Sequence, residues 1–257
     1  MTVNSLSSDQ ELSKFFPIPS QSLVSDRAFL LKMIGVMKSL TNGFHYMELG
    51  SYLGGTLAPF LLEDSCETVL SIDERERQQP DERGVRYDYA GITAQTMIDN
   101  LKKHDLPISK LRIHDGSIDT LPDQPAKFDL AFIDAEHTDE AVFRDYIYVM
   151  DHVKDDCIVM FHDSSLVAKG IVNVLTLARK NRSDGNMRFF KMSDSEMSCI
   201  LFGKYAAIDC ATSFGVEENF EAFLAKSSQY ILRQRIANQV TFKITYEIQD
   251  PKILKII

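Results

Sequence analysis

A chain of 257 residues with 44% hydrophobic and 25% charged content has room for one large domain with terminal elaborations and is too apolar to be disordered. A net charge of −9 argues against affinity for a nucleic-acid backbone, which needs clustered Lys and Arg, so the expected partner is a small molecule and not nucleic acid. Cys66, Cys157, Cys199 and Cys210 form no C-x-x-C pair, which excludes a zinc ribbon or a disulfide framework and makes a reducing cytoplasm the expected location.

The first residues are polar and Ser-rich, unlike a signal peptide, and residues 1 to about 21, with Pro17 and Pro19, read as a flexible arm followed by an extended approach. From Ser22 to Leu40, Phe29, Met33, Val36 and Leu40 recur at spacings of four, three and four, predicting a helix packed on a core and stopped by Asn42 and Gly43. The apolar stretch Phe29 to Met37 contains Lys32 and is far shorter than the ~20 residues of a membrane span, so no membrane association is expected. Short apolar runs then follow at Phe44–Leu49, Thr68–Ile72, Leu111–Ile113, Phe128–Ile133 and Cys157–Phe161, separated by helical patterns. The clearest pattern covers 138 to 153, where Val142, Tyr146, Val149 and Val153 share a face. This alternation predicts a doubly wound α/β fold with a mostly parallel sheet.

Past residue 183 the pattern changes. Met187–Lys191 and Met197–Phe202 are too close for a crossover and predict an antiparallel hairpin, making seven strands. A helix around Glu217–Arg235, with Phe220, Leu224 and Ile231 inward, and then an alternating strand Thr241–Ile248 are expected at the end. The organisation expected is an N-terminal arm and helix over 1–43, a central domain over 44–205, and a C-terminal helix-strand elaboration over 206–257 that offers a surface for pairing with a second copy.

Ligands of an open parallel sheet bind beyond the carboxyl ends of its strands, and four of these ends carry polar residues. The first strand opens into Gly50-Ser51-Tyr52-Leu53-Gly54-Gly55-Thr56, where glycine admits close backbone approach and the turn offers N–H groups to a carboxylate. Its glycine spacing is not G-x-G-x-x-G, which disfavours an NAD-dependent nucleotide-sugar dehydrogenase. Asp73 ends the second strand, placed to accept hydrogen bonds from ribose hydroxyls; it supports a nucleoside without naming it. Asp134 lies at the mouth of the buried Phe128–Ile133 run, where a carboxylate needs a cationic partner. The fifth run delivers His162 and Asp163 to the same edge as Asp134 and His137, and adjacent strands roughly 4.8 Å apart allow a shared divalent metal.

The run Glu48-Leu49-Gly50-Ser51-Tyr52-Leu53-Gly54-Gly55-Thr56 resembles the E-x-G-x-x-x-G-x-T/S motif of class I S-adenosylmethionine-dependent methyltransferases. Phe-Ile-Asp134-Ala-Glu-His137 with Phe-His162-Asp163-Ser resembles the small-molecule O-methyltransferases of the catechol and macrocin kind, methyltransferase domain family 24. The resemblance covers residues 44 to 203. It implies S-adenosylmethionine as cofactor, held by Glu48, Gly50, Ser51, Gly54, Thr56, Asp73 and Asp134, with Ser117 on the adenine edge and Ile118 on its face. It also implies a divalent metal on Asp134, His162 and Asp163. The family pair at the fifth strand end is Asp-Asn or Glu-Asp, so His162 departs from it and widens the candidates from magnesium to manganese, zinc or iron; the other reading is a hydrogen-bonded His–Asp cluster that shapes the pocket. His137 stands where metal-dependent relatives carry a catalytic lysine, and is read as the base, as a ligand, or as the start of the next helix; Asp134 shares the catalytic site. The function expected is methyl transfer to a hydroxyl of a small molecule, the alternative being a non-catalytic nucleoside-binding module. Acceptor-binding residues are expected before residue 44, in the link 74–92 and in the last 50 or so residues, although the charged stretch Arg75–Arg86 reads as a solvated loop more readily than as a lid.

Overall fold

The computed structural model describes residues 12–249 except 123, 125, 126, 183 and 184. Its strands are β1 (Phe44–Leu49), β2 (Cys66–Asp73), β3 (Gln78–Pro80), β4 (Arg86–Asp88), β5 (Leu111–Asp115), β6 (Phe128–Ile133), β7 (Val153–Phe161), β8 (Met187–Lys191) and β9 (Ser198–Phe202). Its α-helices are α1 (Val24–Leu40), α2 (Ala58–Leu62), α3 (Ala94–Lys103), α4 (Asp139–His152), α5 (Ala168–Asn181), α6 (Cys210–Ser213) and α7 (Phe220–Gln249).

Side chains of the central strands alternate between two apolar cores, one on each side of the sheet. Phe44 and Tyr46 of β1 enter one core and Met47 and Leu49 the other; Leu130 and Phe132 of β6 are likewise divided from Ala131 and Ile133. Phe29 and Met33 of α1 with Met97 and Leu101 of α3 close the first core, and Tyr146 and Val149 of α4 with Ile171 and Val174 of α5 close the second. The sheet runs β5-β2-β1-β6-β7-β9-β8, with β9 antiparallel to both neighbours and the rest parallel. The chain leaves β1 toward β2 and β5, then returns to β6 and β7, so the strand order reverses between β1 and β6 and opens a crevice at their carboxyl ends. Among the described residues, no helix is long and apolar enough to cross a membrane.

Three expectations are corrected. The alternating segment Thr241–Ile248 continues α7 instead of forming a strand; alternation needs a sheet edge to pair with, and the chain here is already propagating a helix begun at Phe220. The arm does not run loose to residue 21: Leu12, Phe16 and Ile18 are buried in the first core, although residues 1–11 lie outside the described part. The charged stretch Arg75–Arg86 is no solvated loop, for β3 and β4 pair as an antiparallel hairpin at the crevice. Its charges are neutralised locally, by the ion pair of Arg83 with buried Asp81 and by Arg77 with Glu136 (2.7 Å).

Candidate functional site

The crevice holds a cleft of about 240 Å³ lined by Gly50, Ser51, Thr56, Asp73, Asp134, His137, His162 and Asp163, with Ser20 to Ser22 on one side and Gln79, Arg83, Tyr87 and Tyr89 of the hairpin segment on another. Eight of the sequence-derived residues therefore converge. Gly50 has φ +89°, and a Cβ there would stand 2.0 Å from the Asp134 carbonyl oxygen, so only glycine lets the first turn pass beneath the end of β6. That junction is stitched by the Asp134 N–H on the Leu49 carbonyl and the Gly50 N–H on the Ile72 carbonyl, both 2.8 Å.

Glu48, Gly54, Ser117 and Ile118 do not line this cleft. Glu48 is wholly buried beneath it, where its carboxyl accepts from the Thr56 hydroxyl (2.6 Å) and meets the Tyr46 hydroxyl, so it braces the turn from below. Gly54 makes room for Met97 and Leu101 of α3, a packing role. Ser117 and Ile118 border a smaller neighbouring cavity that shares Asp73, Gln79 and Ala135 with the main one. Burial pushes the Glu48 carboxyl up to about 8. The folded chain thus keeps a proton that the unfolded chain releases above about 4.5, so stability is full at low pH and declines as pH rises through this window. Glu48→Gln, neutral at every pH, is expected to flatten the fall of melting temperature between pH 5 and 8.5; an unchanged slope in the variant contradicts a protonated Glu48.

Asp73 is buried at the end of β2, and its Oδ2 accepts the Tyr52 N–H at 2.7 Å. No protein donor among the described residues meets its Oδ1. Arg75, whose side chain is almost fully buried, stands 3.7 Å from Asp73 and pairs with Asp115 at 3.0 Å, linking the ends of β2 and β5.

At the ends of β6 and β7 the His162 ring lies between carboxylates. Its Nδ1 is 3.0 Å from Asp134 Oδ1 and 3.2 Å from Asp163 Oδ2, and its Nε2 is 3.0 Å from Asp26 Oδ2 on α1. His137 Nε2 is 3.0 Å from Asp163 and 3.8 Å from Asp134. Burial disfavours a charged His162, but the surrounding carboxylates, Asp134 foremost, outweigh it and raise its pKa well above the ordinary histidine value. His137 is raised in the same way, burial being overcome by its hydrogen bond to Asp134 and the charge of Asp163. Asp163, at φ +47°, turns back toward the cleft. One atom each from Asp134, His162 and Asp163 fall within 4.8 Å of one another, a donor set of one imidazole nitrogen and two carboxylate oxygens. This set fits a divalent ion, and manganese, iron or zinc better than magnesium.

Residues that sequence reasoning missed are Asp26, Arg75 and the tyrosines Tyr52, Tyr87 and Tyr89, of which Tyr52 and Tyr89 meet edge to face at 5.5 Å. Tyr87 and Tyr89 left a signal, as aromatic residues in a charged segment, and Tyr52 lay within the quoted glycine turn.

Residues 47–164, just under half of the chain, match the family model described as a methyltransferase domain, and S-adenosylmethionine-dependent methyltransferase activity rests on that match. No curated protein matches the sequence. Among solved structures, the O-methyltransferase NovP is similar over 70% of this chain and 81% of its own at 13% identity, with a TM-score of 0.55. The O-methyltransferase TomG of Streptomyces achromogenes, crystallised with S-adenosylmethionine, is similar over 78% of this chain and 88% of its own at 12% identity and a TM-score of 0.48. At 13% identity the likeness to NovP is one of fold.

Proposed function

We propose that this chain transfers the methyl group of S-adenosylmethionine to a hydroxyl of a small molecule, with Asp134, His162 and Asp163 holding a divalent metal beside the acceptor. What supports the reading is one cleft in which a glycine turn and the acid ending β2 adjoin a separate His–Asp cluster. A nucleoside-binding module has no use for the second half. The hydroxyl as acceptor follows the name of NovP.

In this reading Asp73 accepts from the sugar hydroxyls of the cofactor, Ser117 and Ile118 border its base, and the N–H groups of the Gly50 turn meet its carboxylate. The sulfonium methyl is already electrophilic, so the site has only to align a nucleophilic oxygen and remove its proton. His137, in its neutral form, is read as the base that takes that proton, with Asp134 and Asp163, both within 4 Å, stabilising the imidazolium that results. When bound, the metal lowers the pKa of the acceptor hydroxyl and orients it.

Titration calorimetry with S-adenosylhomocysteine and with NAD, each with and without EDTA, tests the reading. Micromolar or tighter binding of the first and none of the second is expected, and the reverse pattern overturns it. Asp73→Ala is expected to weaken S-adenosylhomocysteine by roughly tenfold or more, since a hydrogen bond to a charged group contributes about 1.5–3 kcal/mol. An affinity equal to that of the wild type removes Asp73 from the cofactor site.

A further inference from the structure

Asp26 lies in the first turn of α1, 136 residues before His162, and is 1% exposed. Four donors saturate its carboxylate: Ser195 Oγ (2.7 Å) and the Glu196 N–H (2.9 Å) reach Oδ1, while the Leu23 N–H (2.9 Å) and His162 Nε2 (3.0 Å) reach Oδ2. A carboxylate with this environment accepts only, so the His162 Nε2 carries a proton and donates it. The other ring nitrogen then faces Asp134 and Asp163, two acceptors at 3.0 and 3.2 Å. In the metal-free chain this nitrogen meets the two carboxylates as a hydrogen-bond donor, and a divalent cation placed among the three atoms would take the place of that one proton.

We infer that Asp26 is a positioning residue for the metal centre: it fixes the ring orientation and tautomer of His162 so that Nδ1, and not Nε2, is presented with Asp134 and Asp163 to a divalent cation. This rests on the metal reading proposed above. It adds a contribution from α1 that neither the strand-end motifs nor the family resemblance contains. The N-terminal helix and the turn between β8 and β9, joined through Ser195 and Glu196, thereby become part of the scaffold of the site. Carboxylate partners of metal-bound histidine act in this manner, and their loss lowers metal affinity by about 10–100-fold.

The experiment uses the full chain and Mn²⁺ or Zn²⁺ alone as probe. In calorimetric titration Asp26→Asn is expected to bind Mn²⁺ about 10–100-fold more weakly than the wild type, while its S-adenosylhomocysteine affinity stays within about threefold. Equal Mn²⁺ affinity in variant and wild type overturns the inference and leaves the metal reading intact. A wild type that binds neither Mn²⁺ nor Zn²⁺ overturns the metal reading itself, and the inference with it. Because Asp26 is buried and Asp26→Asn can fail to fold, a second measurement needs only the wild type: ¹⁵N-histidine spectra, with the His162 signals assigned by their loss in His162→Gln. Zn²⁺ is expected to shift the Nδ1 resonance while Nε2 remains protonated. Metallation of Nε2 overturns the assignment.

Discussion

Asp134→Ala is expected to abolish methyl transfer while S-adenosylhomocysteine still binds. Asp134 is the carboxylate nearest His162 Nδ1, at 3.0 Å, and also faces His137 at 3.8 Å. Its removal takes an oxygen from the proposed metal set and half of the counter-charge from the proposed base. A fall in kcat of three orders of magnitude, about 4 kcal/mol in the barrier, is the scale expected when such a centre is dismantled. In the proposed reading Asp73 and the Gly50 turn hold the cofactor, so its affinity should change by no more than a few-fold. Single-turnover assays and calorimetry on the same preparation separate the two effects. Transfer at near wild-type rate by Asp134→Ala ends the metal-assisted mechanism.

Gly50→Ala should have the larger effect on the folded chain. A Cβ at this position meets backbone, with the Asp134 oxygen at 2.0 Å and Ala135 Cα at 2.6 Å, so no side-chain rotation relieves it. Left-handed backbone adds roughly 1–2 kcal/mol for a residue with a Cβ, and overpacking a further 1–3 kcal/mol. Thermal unfolding should register a loss on the order of 3 kcal/mol together with S-adenosylhomocysteine affinity reduced at least 100-fold. Gly84, at φ +80° with nothing within 4 Å of its added Cβ, supplies the control. Gly84→Ala carries the conformational strain without the collision and should leave cofactor binding unchanged. If both variants bind alike, the close approach at Gly50 is not what shapes the turn.

The strands were legible because a parallel sheet buried on both faces needs unbroken apolar runs, and β6, β8 and the edges of α1 and α4 fall within two residues of where the pattern puts them. The strand-end acids were legible for a related reason: polar residues directly after such runs must emerge along one edge. The hairpin was hidden by its charges. Asp81, Arg83, Arg77 and Glu136 look solvated one by one and become a cleft wall only when paired. Asp26 was hidden because an acidic residue in the first turn of a helix is ordinary, here accepting the Leu23 N–H. Nothing local shows that its other contacts come from residues 162, 195 and 196. The end of α7 was misread because period-two alternation marks a strand only where a neighbouring edge exists to receive it.

The last helix also grips the hairpin. Arg235 donates to the Glu82 carbonyl at 2.6 Å and pairs with the Glu82 carboxylate, and Asn238 donates to the Arg83 carbonyl at 2.8 Å. Glu82 in turn donates its N–H to the His137 carbonyl and accepts the Asp139 N–H on its carboxylate, both at 3.0 Å. One glutamate thus couples the last helix to the backbone on either side of Thr138, beside the candidate site.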